Sequence, residues 1–102
     1  MPHSSKVIIE QLRQLVATPS VSSTDPRWDQ GNRAVIDLLA GWLADRGFGV
    51  EIQAVTPRGD KANLIATLGS GPGGLVLAGH TDTVPFDEGR WHSDPLALTE
   101  RD

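Results

Sequence analysis

Between residues 33 and 55 the apolar period of this chain changes from that of a helix to that of a strand, with a glycine at the switch. Val35, Leu38, Leu39, Trp42 and Leu43 fall at i, i+3, i+4, i+7 and i+8, a one-sided stripe along a helix. Gly47 is the expected C-terminal stop. After it, residues 50–55 (Val-Glu-Ile-Gln-Ala-Val) alternate apolar and polar, the pattern of a half-buried strand. A helix with one apolar stripe and a strand with one apolar face are each unstable alone, so the expected solution packs one on the other. Trp42 lies within the stripe and is read as core.

Around this centre the remaining elements are simpler. Ser4 or Ser5 is placed to cap a first helix with Ile8, Leu12, Leu15 and Val16 on one face. It should end by Thr18, because Pro19 disfavours helical geometry in the residue before it. A polar loop over 20–27 joins the helices. Residues 63–68 (Asn-Leu-Ile-Ala-Thr-Leu) form a second, more continuously apolar strand, and residues 75–78 (Leu-Val-Leu-Ala) a third. The expected fold class is α/β: two helices packed on one face of a sheet that looks incomplete at three strands.

The third strand runs into Gly79-His80-Thr81-Asp82-Thr83-Val84-Pro85. Alternate residues of an extended chain point to one side about 7 Å apart, so His80 and Asp82 share a face while Thr81 turns away. Such a pair suits a metal ligand and the carboxylate that fixes its ring. It equally suits a strand-end histidine satisfied by its neighbour, and three residues do not decide between them.

The surrounding sequence carries a more specific likeness. Gly79-His80-Thr81-Asp82-Thr83-Val84-Pro85, then Trp91, Asp94-Pro95 and Leu98-Thr99-Glu100, resembles the first metal-binding segment of the M20 family of metallopeptidases and deacylases. The likeness extends upstream through Ala17-Thr18-Pro19-Ser20-Val21-Ser22, Asp29-Gln30-Gly31-Asn32, Asp45-Arg46-Gly47-Phe48 and Gly71-Pro72-Gly73-Gly74-Leu75, and so covers nearly the whole chain. Within the family it leans to deacylases of amino-acid biosynthesis acting on N-acetylated rather than N-succinylated substrates.

The resemblance implies metal-assisted hydrolysis of an amide in a small N-acyl amino acid, with two divalent ions, zinc or cobalt, in the full-length enzyme. It implies that His80 is a ligand of one ion and that Asp82 holds the His80 ring. Residues 1–102 would be the N-terminal portion of the zinc-peptidase-like catalytic domain. The metal-bridging Asp, the Glu-Glu pair that includes the general base, and an inserted lid domain would all lie beyond Asp102. Family members are typically homodimers. With a single ligand present, the isolated segment is expected to be catalytically inert, since a catalytic zinc normally has three protein ligands. The competing reading from another class is a non-catalytic α/β interaction module.

Composition fits a soluble piece of this kind. A net charge of −4 over 102 residues leaves no basic stripe for nucleic acid or anionic lipid. No apolar run approaches the roughly 20 residues that span a bilayer, and the N-terminus lacks the apolar core of a signal peptide, so the expected address is the cytoplasm. The absence of cysteine excludes disulfides, thiolate metal sites and cysteine nucleophiles.

Two further motifs do not survive their context. Gly69, Gly71 and Gly74 fit G-x-G-x-x-G, but the element expected next is a strand rather than the helix that would hold a pyrophosphate. Arg58-Gly59-Asp60 reads as a turn between strands. His92 is read as a solvated loop histidine, Asp87 and Glu88 as turn carboxylates, and Trp91 as a packing residue that anchors the loop. His3 receives no role.

Overall fold

The structure is a computed structural model in which residues 4–87 and 89–101 are described; His3 and Glu88 lie outside that set. Four elements follow one another as α1 (Ser5–Val16), α2 (Arg33–Asp45), β1 (Gly49–Ala54) and β2 (Ala62–Thr67). No helix of the described residues is long and apolar enough to cross a membrane.

Helix α1 starts where the sequence indicates. Ser4 is extended and its hydroxyl accepts from the Val7 N–H at 3.4 Å, satisfying one of the donors that a helix start leaves open. At the other end the Thr18 hydroxyl donates to the Gln14 carbonyl at 2.7 Å. The helix buries no residue: Leu15 and Val16 are half-buried, while Ile8 and Leu12 remain exposed.

Helix α2 is the covering element. Val35, Ile36 and Ala40 are buried, and Leu38, Leu39, Trp42 and Leu43 are half-buried against both strands. It ends in a Schellman motif: Gly47 has φ 90°, its N–H reaches the Ala44 carbonyl at 3.0 Å, and the Phe48 N–H reaches the Leu43 carbonyl at 3.1 Å. Only glycine takes that φ without a Cβ penalty, which is why the stripe stops here.

Strands β1 and β2 pair antiparallel with Val50 opposite Ala66, Ile52 opposite Leu64 and Ala54 opposite Ala62. The period-2 pattern therefore puts Val50, Ile52, Leu64 and Ala62 on one face, and Glu51, Gln53, Asn63 and Thr67 on the other. The connection over 55–61 closes with the Val55 N–H on the Lys61 carbonyl at 2.9 Å and the Thr56 hydroxyl on Asp60 at 2.6 Å. Arg58, Gly59 and Asp60 form the tip of this turn, as read from the sequence.

The third strand expected over 75–78 is not formed. Among the described residues no backbone hydrogen bond joins this segment to β2, and Leu75, Val76 and Leu77 are 85%, 88% and 87% exposed. A strand exists only through its partner's donors and acceptors, and apolar pattern alone does not supply them. Gly69, Gly71, Gly73 and Gly74 all have positive φ, and among the described residues no backbone hydrogen bond closes a hairpin turn over 69–74. The radius of gyration, 15.9 Å, exceeds the roughly 13 Å of a compact domain of this length. These features are those of an α/β piece consistent with the N-terminal part of a peptidase-like domain.

Candidate functional site

Past the unpaired segment the chain meets the body of the protein again at residues 81–83. Val21 and Thr83 form a parallel bridge, with the Ser22 N–H on the Thr83 carbonyl at 2.9 Å and the Thr83 N–H on the Ser20 carbonyl at 3.1 Å. The Ser20 hydroxyl donates to the Thr81 carbonyl at 2.6 Å. Val21 is buried and is itself held on its other side: its N–H donates to the Gln30 side-chain oxygen at 2.8 Å, and its carbonyl accepts from the Gln30 N–H at 2.7 Å.

This support is tied in turn to the helix and the sheet. Asn32 precedes α2 but does not cap it with its side chain. Its amide instead brackets Ala62 of β2, donating to the carbonyl at 3.0 Å and accepting from the N–H at 2.8 Å, with Thr81 Oγ1 at 3.5 Å. Asp29 accepts from Lys61 Nζ at 2.8 Å and from the Ser23 N–H at 2.9 Å. The Lys61 ammonium and then that N–H hold the Asp29 carboxyl below the usual aspartate range. Asp60 is lowered in the same direction, chiefly by the Thr56 hydroxyl.

His80 and Asp82 stand on the outer side of this frame, while Thr81 turns inward and is half-buried. His80 Nδ1 lies 3.0 Å from Asp82 Oδ1 and 3.1 Å from the Asp82 carbonyl oxygen. Both partners are acceptors, so in the neutral ring the proton belongs on Nδ1 and the lone pair on Nε2. That tautomer presents a ligating nitrogen outward, with its orientation set by a carboxylate. The His80 side chain is 80% exposed, so nothing in the described fold shields that nitrogen.

A catalytic divalent metal asks for more than this. Among the described residues no group of three His, Asp or Glu side chains is placed to hold an ion. The His80–Asp82 pair fits one ligand position with its orienter, and the described chain does not complete a site. His92 is exposed, and Asp87 pairs with Arg90 at 3.6 Å. Asp94 opens a turn by accepting from the Leu96 N–H at 2.9 Å. Trp91, expected to anchor the loop by packing, is 56% exposed. Its segment has no second layer to pack against among the described residues.

Three supporting residues escape pattern reading. Ser20, Gln30 and Asn32 act on partners distant in sequence, 61 positions away for Ser20 and 30 for Asn32. The available signal was indirect: all three lie in segments that carry the family likeness, which gives them no role, and a polar Asn just before an apolar stripe ordinarily suggests a helix cap.

No family model matches the chain. Curated relatives do. It is 63% identical over 94 residues to acetylornithine deacetylase of Proteus mirabilis, covering 92% of this chain and 24% of that protein. Over nearly its whole length the chain is similar to proteins named acetylornithine deacetylase. Its likeness to the Photorhabdus laumondii acetylornithine deacetylase is also 63% over 94 residues. To the Klebsiella pneumoniae enzyme it is 55% over all 102 residues, 27% of that protein. The chain thus spans about a quarter of the length of the acetylornithine deacetylases it matches.

Proposed function

We propose that this chain contributes the first metal-binding segment of a cytoplasmic, metal-dependent amide hydrolase of the M20 type. The reaction is removal of the acetyl group from N-acetyl-L-ornithine, giving ornithine and acetate in arginine biosynthesis. The observation that carries the proposal is the 55–63% identity to proteins named for that activity, over a segment that includes the His80–Asp82 pair. Zinc or cobalt, when bound, would polarise the scissile carbonyl and make a bound water nucleophilic at neutral pH.

Within that scheme the chain's own residues have limited work. His80 offers Nε2 as one ligand. Asp82 accepts from Nδ1–H, fixes the tautomer and raises the basicity of the ring. The remaining ligands, the general base and the groups that read acetyl and ornithine belong to other parts of a protein of the relatives' length, which we take to work as a homodimer. The 102 residues alone are therefore inert as a hydrolase.

The test measures ornithine release from N-acetyl-L-ornithine by a protein of the relatives' length carrying this segment. His80→Ala should nearly silence it, and Asp82→Asn should reduce it about 10- to 100-fold, the usual effect of losing a ligand's orienting partner. The isolated chain should release no ornithine and bind Zn²⁺ no better than a surface histidine. Wild-type turnover in His80→Ala at saturating metal, or submicromolar stoichiometric Zn²⁺ binding by the isolated chain, contradicts these assignments.

A further inference from the structure

We propose that Ser20 is a positioning residue for the His80–Asp82 pair. The inference rests on the reading of that pair as ligand and orienter. His80 and Asp82 are exposed side chains in contact with each other, so their alignment depends on the backbone that carries them. Two peptide groups flank Asp82, and Ser20 holds both. Its hydroxyl donates to the Thr81 carbonyl at 2.6 Å, and its own carbonyl accepts the Thr83 N–H at 3.1 Å.

The second of those peptides carries the Asp82 carbonyl, one of the two oxygens facing His80 Nδ1, and the first sets the direction in which the Asp82 carboxylate leaves the chain. Ser20 is also the buried polar residue of the described core, at 5% exposure. A hydroxyl there has desolvation to offset and does so through the Thr81 carbonyl. Losing it frees the Thr81–Asp82 peptide to rotate, and the tautomer selected at His80 loses its template.

The readout is the tautomer of neutral His80 in this chain, selectively ¹⁵N-labelled at histidine and observed at about pH 8.5, well above the ordinary histidine range. His80→Ala assigns the signal among three histidines. The wild-type chain should hold the proton mainly on Nδ1. Ser20→Ala should lower the ratio of Nδ1–H to Nε2–H by about fivefold, the equivalent of one hydrogen bond. Ser20→Thr, which keeps the hydroxyl, should retain the wild-type ratio, whereas the equally shaped Ser20→Val should not. Cross-strand signals between Val50 and Ala66 report whether each variant keeps its fold.

An unchanged ratio in Ser20→Ala and Ser20→Val overturns the positioning role and leaves the pair intact. A wild-type chain with no preference for Nδ1–H overturns the pair itself, and the ligand assignment of the proposed function falls with it. Equal loss in Ser20→Thr and Ser20→Val, with the strand signals preserved, assigns the effect to side-chain volume and also overturns the proposal.

Discussion

Substituting Gly31 tests whether the junction beneath the site is as close as it looks. A Cβ on Gly31 would run into the carbonyl oxygen of Asp60, with the Asp60 carbonyl carbon and Cβ each 3.1 Å away. That obstacle is backbone, and it is held: the Asp60 carbonyl accepts from the Arg33 N–H at 3.2 Å, and its carboxylate accepts from Thr56 at 2.6 Å. The φ of Gly31 is not positive, so the whole penalty is steric. Overpacking of this kind costs about 2 kcal/mol. For a chain of this size that lowers Tm by roughly 8–16 °C. Gly41→Ala is the matched control. Gly41 lies in the interior of α2 and an added Cβ meets nothing within 4 Å, so alanine should gain about 1 kcal/mol of helix propensity and raise Tm by roughly 4–8 °C. Thermal unfolding followed by circular dichroism gives both numbers. A Gly31→Ala variant melting within about 2 °C of wild type would mean that residues 31 and 60 are not in contact, and the link between α2 and the hairpin turn would have to be redrawn.

Two other outcomes follow from features of the same fold. Asp29 and Asp60 have folded-state pKa values below the ordinary aspartate value, so their stabilisation is fully present above about pH 4 and is lost as pH falls through the lowered values; Asp29→Asn should flatten that acid limb in urea unfolding measured against pH, and an unaltered limb would remove the Lys61 pairing as its cause. The exposed run Leu75–Leu77 lies in a stretch with no Lys, Arg, Asp or Glu between Lys61 and Asp82, and unpaired apolar edges recruit other chains, so the isolated chain should sediment above monomer mass at concentrations on the order of tens of micromolar and Val76→Lys should return it towards monomer; a monomeric wild-type chain with a sharp cooperative melt would show that these residues close their own core.

Local chemistry was legible in the sequence to within a residue or two. Ser4 caps α1, Gly47 ends α2, and the alternation over 50–55 became β1 at Gly49–Ala54, because each of these depends on neighbours a few positions away. The His80–Asp82 juxtaposition was legible for the same reason. What was not legible depends on distant partners. The apolar run over 75–78 matches a buried strand in pattern, but pairing is decided by which edge the chain reaches, and this run pairs with neither edge of the two-stranded sheet. Ser20, Gln30 and Asn32 look like loop residues until Thr81, Val21 and Ala62 are placed beside them. Trp91 is read as an anchor from its place in the family likeness, whereas anchoring requires a surface to dock on.

The bridge between Val21 and Thr83 also bears on the order in which the molecule assembles. It closes a loop of about sixty residues, and bringing together the ends of a bare chain that long costs roughly 3.6 kcal/mol beyond the constant term. The three hydrogen bonds that join 20–22 to 81–83 contribute on the order of 1 kcal/mol each, so they hold the contact only after α2 and the hairpin have shortened the span. The helix and hairpin therefore form first and the His80 segment docks last. For the same reason it is the first to detach, a latch of low local stability on a more durable frame. A nascent chain would carry His80 loosely until Ser20 captured the segment behind it, and any ion that met the imidazole before then would find a freely turning ring.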